Sequence, residues 1–88
     1  MKPLLFLLFL FSHSLPPVFS QSNLLENVKK NPEEAINMCN KFKEFNSNGI
    51  SANSDKVIEY VSKKNNLTPV NAEIFSIYVI GLHCPDII

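Results

Sequence analysis

The chain contains no arginine and no tryptophan, only two glycines and only two cysteines. Each scarcity removes a class of function. Nucleic-acid recognition leans on clustered basic residues, with Arg supplying the bidentate contacts to bases. Here the basic pairs are Lys29-Lys30 and Lys63-Lys64, each with acidic residues near it in the sequence, and the formal net charge is zero. No nucleic-acid partner is expected, and a solvated helix face accounts for both pairs. With Gly49 and Gly81 alone, there is no glycine-rich loop to cradle a phosphate. Cys39 and Cys84 are far apart, unlike the CxxC arrangement of a thiol oxidoreductase.

A long apolar run is also missing. A spanning helix needs about 20 apolar residues, and the run Leu4 to Phe11 is far shorter. Its setting is informative: Lys2 before it, a polar, Pro-containing stretch after it, then Val18-Phe19-Ser20. Val at −3 and Ser at −1 complete the layout of a secretory signal peptide over residues 1–20, cut before Gln21. Retention of the segment as an anchor is the alternative. The residue directly after the cut is Gln21 rather than a cysteine, so lipid attachment is unsupported. The expected location is secreted or periplasmic, with residues 21–88 forming a single small helical domain and no stable membrane span after cleavage.

A domain this small struggles to build a sufficient core and usually carries a staple. Export to an oxidising compartment makes a disulfide the natural one. Cys39 and Cys84 are the only pair available. Closing a loop of roughly 45 residues stabilises by about 4 kcal/mol in the chain-entropy model. A cysteine near the end of the chain then ties that end back to the start of the domain.

What remains is a set of helices, and an all-α fold of three to four short helices stapled by one disulfide is expected. Leu24, Leu25 and Val28 lie at helical spacing in a short first segment, residues 22–30. Asn31 is placed to cap a second helix, with Pro32 at its first position and Glu33 and Glu34 near the positive end of its dipole. Ala35, Met38, Cys39, Phe42 and Phe45 then follow the i, i+3, i+4, i+7 pattern, and Gly49 sits where a left-handed cap is needed. A further helix over about 54–64 presents Val57, Ile58 and Val61, and Asn65-Asn66 ends it. In the last, Thr68 caps, Pro69 takes the first position and Leu67 staples against Ala72.

That last helix carries two apolar stripes: Val70, Ile74, Ile77 and Gly81 on one side, and Phe75, Tyr78, Val79 and Leu82 on the other. A helix apolar nearly all round is either central or meets a partner. If the second stripe is packed inside, Val70, Ile74 and Ile77 form a candidate contact surface, unless residues 22–30 fold over and cover it.

Catalytic candidates are sparse. His83 is the sole imidazole after the cut, and no nucleophile stands beside a base. Ser76 is embedded in the apolar helix, where bonding back to its own backbone is the ordinary reading. His83, Cys84, Cys39 and Asp86 form a conceivable metal set, but adjacent His and Cys suit chelation poorly. No metal or other cofactor is expected, and no catalytic residue is assigned. Asn66-Leu67-Thr68 fits the glycosylation pattern, but Pro69 follows it and a helix cap explains the triplet better.

Cys39, Gly49-Ile50-Ser51, Leu67-Thr68, Ala72, Phe75 and Cys84-Pro85 together resemble the secreted bacterial domain of unknown function 732 family. The resemblance covers about residues 35–85 and implies an exported helical domain with the two matched cysteines bridged. It implies no activity. The segment before Cys39 is shorter than in many members. The reading is therefore an exported helical module that binds an unknown protein or envelope partner, or weakly binds itself, and is not an enzyme. A small secreted enzyme, redox protein or inhibitor-like peptide is the alternative.

Overall fold

The structure is a computed structural model that describes residues 21–88; the leader expected over residues 1–20 lies outside the described residues. Four helices follow one another: α1 (Gln21–Lys30), α2 (Pro32–Ser47), α3 (Asp55–Asn65) and α4 (Pro69–His83). Among the described residues there is no strand. The β-branched run Ile74 to Leu82 is helical, because Thr68 and Pro69 start a helix there and no neighbouring strand offers a ladder.

Local chemistry sets most boundaries. The Thr68 Oγ accepts from the Asn71 N–H at 3.2 Å, and the Ser54 Oγ accepts from the Val57 N–H at 3.4 Å. At the end of α2, the Ile50 N–H donates to the Phe45 carbonyl and the Gly49 N–H to the Asn46 carbonyl, both at 2.9 Å. This is the Schellman pattern, and it requires the left-handed backbone that Gly49 adopts at φ +76°. Asn66 takes the same left-handed role after α3 at φ 54°, which assigns the Asn66-Leu67-Thr68 triplet to helix punctuation.

Asn31 departs from expectation. It stands at the N-cap position of α2, but its side chain makes no capping bond there. Its Nδ2 instead donates backward to the Asn27 carbonyl at 2.9 Å and the Asn27 Oδ1 at 2.8 Å. With a single residue between α1 and α2, the amide satisfies the end of the first helix rather than the start of the second.

α4 is the hub. It packs against α1, α2 and α3, and α1 also touches α2. Its inward residues are Ala72, Phe75, Ser76 and Val79. They meet Leu24 and Val28 from α1, Ala35, Met38, Cys39 and Phe42 from α2, and Val57 and Val61 from α3 in one core. The hydroxyl of buried Ser76 donates to the Ala72 carbonyl at 2.9 Å, so no polar group is left bare there. Leu67 packs against this core, as a staple residue should. Leu82 was expected inside and is instead 48 % exposed. It lies in the last turn of α4.

Cys39 and Cys84 are bonded, with Cα atoms 6.0 Å apart. Both are buried, so the bond is a member of the core rather than a surface strap.

Candidate functional site

The outward face of α4 is where the structure leaves apolar surface unspent. Val70 is 67 % exposed and Ile77 61 % exposed, while Ile74 between them is half-buried against the core. α1 does fold onto α4, burying Leu24 and Val28, yet it does not cover Val70 or Ile77. Gly81 continues the stripe as bare backbone with nothing near it.

Beside Ile77 lies a shallow apolar groove of about 270 Å³, lined by Ala52, Ser76, Ile77, Ile80 and Ile88, with Asn53 and Glu73 at its edge. Ile80 and Ile88 were not foreseen as part of this surface. Ile80 lies on α4 three residues after Ile77, and Ile88 reaches the groove because the tail after Cys84 turns back toward the α2–α3 loop. There the Ala52 N–H donates to the Ile88 carbonyl at 2.8 Å. The Asn46 side chain completes the attachment: its Oδ1 accepts from the Ile88 N–H at 2.9 Å, and its Nδ2 donates to the Ile88 carbonyl at 3.2 Å and to the Ile50 carbonyl at 2.9 Å. No local pattern announces a contact between residues 42 positions apart.

A second concavity opens between α2 and α3, which lean on α4 with little direct packing on each other. It holds about 530 Å³ above Met38 and Phe75. Phe45 and Tyr60 bridge the helices beside it, edge to face, with centroids 5.7 Å apart. The Lys41 ammonium lies over both rings, 5.5 Å from Phe45 and 5.2 Å from Tyr60. Glu44 Oε1 accepts from it at 3.0 Å, and this hydrogen bond holds the Lys41 pKa above the ordinary lysine value, against a smaller desolvation effect. The charge is countered within the protein, and the pair is exposed, so it contributes little stability.

The remaining candidates do not converge on a reaction centre. His83 is half-buried at the end of α4, and its Nε2 has no hydrogen-bond partner among the described residues. Among those residues no group of three or more His, Cys, Asp or Glu is placed to hold a metal ion, and Cys39 and Cys84 are bonded to each other. No described helix is long and apolar enough to cross a membrane.

Four helices around one buried disulfide, with an apolar face turned outward, define a small stapled helical domain. Residues 25–84 match a domain of unknown function, DUF8664, and the chain belongs to that family. This corrects the family suggested by the sequence motifs, the domain of unknown function 732. The motifs behind that resemblance were a cysteine pair, a Schellman turn and a capped helix, and such turns and caps are common to helices in general. No curated protein and no solved structure matches the chain.

Proposed function

We propose that this protein is an exported, non-enzymatic interaction module that presents the outward face of α4 to a protein partner in the cell envelope or outside it. The observation that carries the reading is the division of α4 between two faces. Ala72, Phe75, Ser76 and Val79 are buried, while Val70 and Ile77 stay in solvent around half-buried Ile74. Contiguous apolar surface on so small a domain marks contact sites. The buried Cys39–Cys84 bond suits an oxidising compartment, in keeping with a signal peptide over residues 1–20. The cleft at Lys41 supports an enzymatic reading less well, since the Lys41 ammonium is already paired with Glu44 and no nucleophile lines the cleft beside a base.

The experiment is site-specific photo-crosslinking in the producing cell. A photoreactive residue in place of Ile77 should give a discrete crosslinked product, and one in place of exposed Lys63 should not. Equal crosslinking from both positions, or none from Ile77, overturns the reading.

A further inference from the structure

The cleft between α2 and α3 is polar on its walls and apolar on its floor. Met38 and Phe75, both buried in the core, form the floor, and half-buried Tyr60 places an aromatic ring beside it. The walls carry three carboxamides, those of Asn37 and Asn40 from α2 and Asn65 from α3. Asn65 is already oriented. Its Nδ2 donates to the Val61 carbonyl at 3.1 Å, which leaves its Oδ1 as an acceptor with no donor among the described residues. Asn37 and Asn40 are exposed, and neither side chain makes a hydrogen bond among those residues. Charge in the cleft balances: two carboxylates, Glu34 and Glu44, face two ammonium groups, Lys41 and Lys64, and the Lys41–Glu44 hydrogen bond uses one of each. The Phe45–Tyr60 contact, with Lys41 over both rings, ties the two helices together at one end. The concavity is therefore present without any ligand to shape it.

We propose that this cleft binds a neutral saccharide. A sugar ring offers apolar C–H faces and a rim of hydroxyls that both donate and accept. The floor of Met38 and Phe75 matches the faces. Carboxamides match the rim, because each donates through its NH2 group and accepts through its oxygen. Balanced charge gives the site no preference for an anion or a cation, which favours a ligand that carries neither. The volume of about 530 Å³ falls within the roughly 300–1,000 Å³ of small-molecule sites and has room for a short oligosaccharide. Such sites are lined mostly by apolar groups, so the polar walls here select a hydroxyl-rich ligand over an apolar one. Affinity is modest. The cleft is open, and each hydrogen bond to the sugar replaces one to water, which places binding in the millimolar range. The site is independent of the α4 contact face, since Val70, Ile74 and Ile77 line no part of it.

Nuclear magnetic resonance titration of the oxidised, isotope-labelled protein tests the proposal. The probes are two neutral trisaccharides, one of N-acetylglucosamine and one of glucose, so that acetamido and plain hydroxyl sugars are both offered. At least one should give saturable shifts through the millimolar range at the side-chain amides of Asn37, Asn40 and Asn65, with the signals of Val70 and Ile77 unmoved. The Asn37→Ala/Asn40→Ala double variant removes two exposed side chains that hold nothing in the fold, so its spectrum should stay native. Its binding should weaken about 10-fold or more, the effect of losing two hydrogen bonds to the ligand. Saturable shifts from neither sugar, shifts confined to the α4 face, or a double variant that binds like wild type overturn the proposal. A zwitterionic dipeptide that moves the cleft signals when neither sugar does overturns it as well, and assigns the cleft to Glu34 and Lys64 instead of the carboxamides.

Discussion

Cys39 in the middle of α2 and Cys84 one residue past α4 bring the two longest helices together through a buried bond, with Cα atoms 6.0 Å apart. The tail from Pro85 to Ile88 starts from that bond and ends on Asn46, also on α2. The end of the chain is thus anchored twice to one helix, covalently and by hydrogen bonds.

Breaking the bond should come close to unfolding the domain. The chain-entropy effect of the loop is about 4 kcal/mol. At the usual stability per residue, a domain of this length has about 3–10 kcal/mol in total. Denaturant titration of Cys84→Ser is expected to show the midpoint falling by most of its value, and a midpoint equal to that of the oxidised parent would show that the helices hold without the staple.

Phe42 is fully buried where α2 meets α4. Truncating a buried phenylalanine to alanine costs about 3–5 kcal/mol, because lost transfer energy and the residual cavity add. Phe42→Ala is expected to be about as damaging as loss of the disulfide, read by the same titration. Ser76→Ala should differ from it sharply. That hydroxyl bonds only to a helical carbonyl of its own turn, so its removal leaves no orphan and should change stability by less than about 1 kcal/mol.

The caps give a third comparison. Thr68→Ala and Ser54→Ala each remove a side-chain oxygen that accepts a first-turn N–H, and each should cost about 1 kcal/mol. Asn31→Ala should leave the start of α2 unaffected, since its amide serves the end of α1. Local hydrogen exchange distinguishes these outcomes: protection should fall at residues 29–31 in Asn31→Ala, and an equal fall at residues 33–35 would restore the capping role.

How far the sequence carried depended on the range of each interaction. The helices, the caps at Ser54 and Thr68 and the left-handed Gly49 follow from neighbouring residues, and they were legible. The disulfide was legible by arithmetic, because two cysteines allow one pairing. The faces of α4 were legible in part. Periodicity separates Val70 and Ile77 from Phe75 and Val79, but it does not reveal that Leu82 is left half in solvent while Cys84 beyond it is buried. The Asn46–Ile88 clamp was not legible at all. Asn46 looks like one more polar residue on a solvated helix, and only the fold delivers a backbone to its amide. Ile88 escaped notice as a surface residue for the same reason, whereas Ile80 was missed although helical spacing places it one turn from Ile77 on α4.

The division of α4 into a core face and a contact face is the central claim, and thermal unfolding of the Val70→Ser/Ile77→Ser double variant tests it most directly. For a domain of this size, 1 kcal/mol corresponds to about 4–8 °C in Tm. The account predicts a Tm within about 4 °C of wild type, since both side chains already lie mostly in water. A fall of more than about 8 °C would contradict it, showing that Val70 and Ile77 hold the fold together rather than wait for a partner.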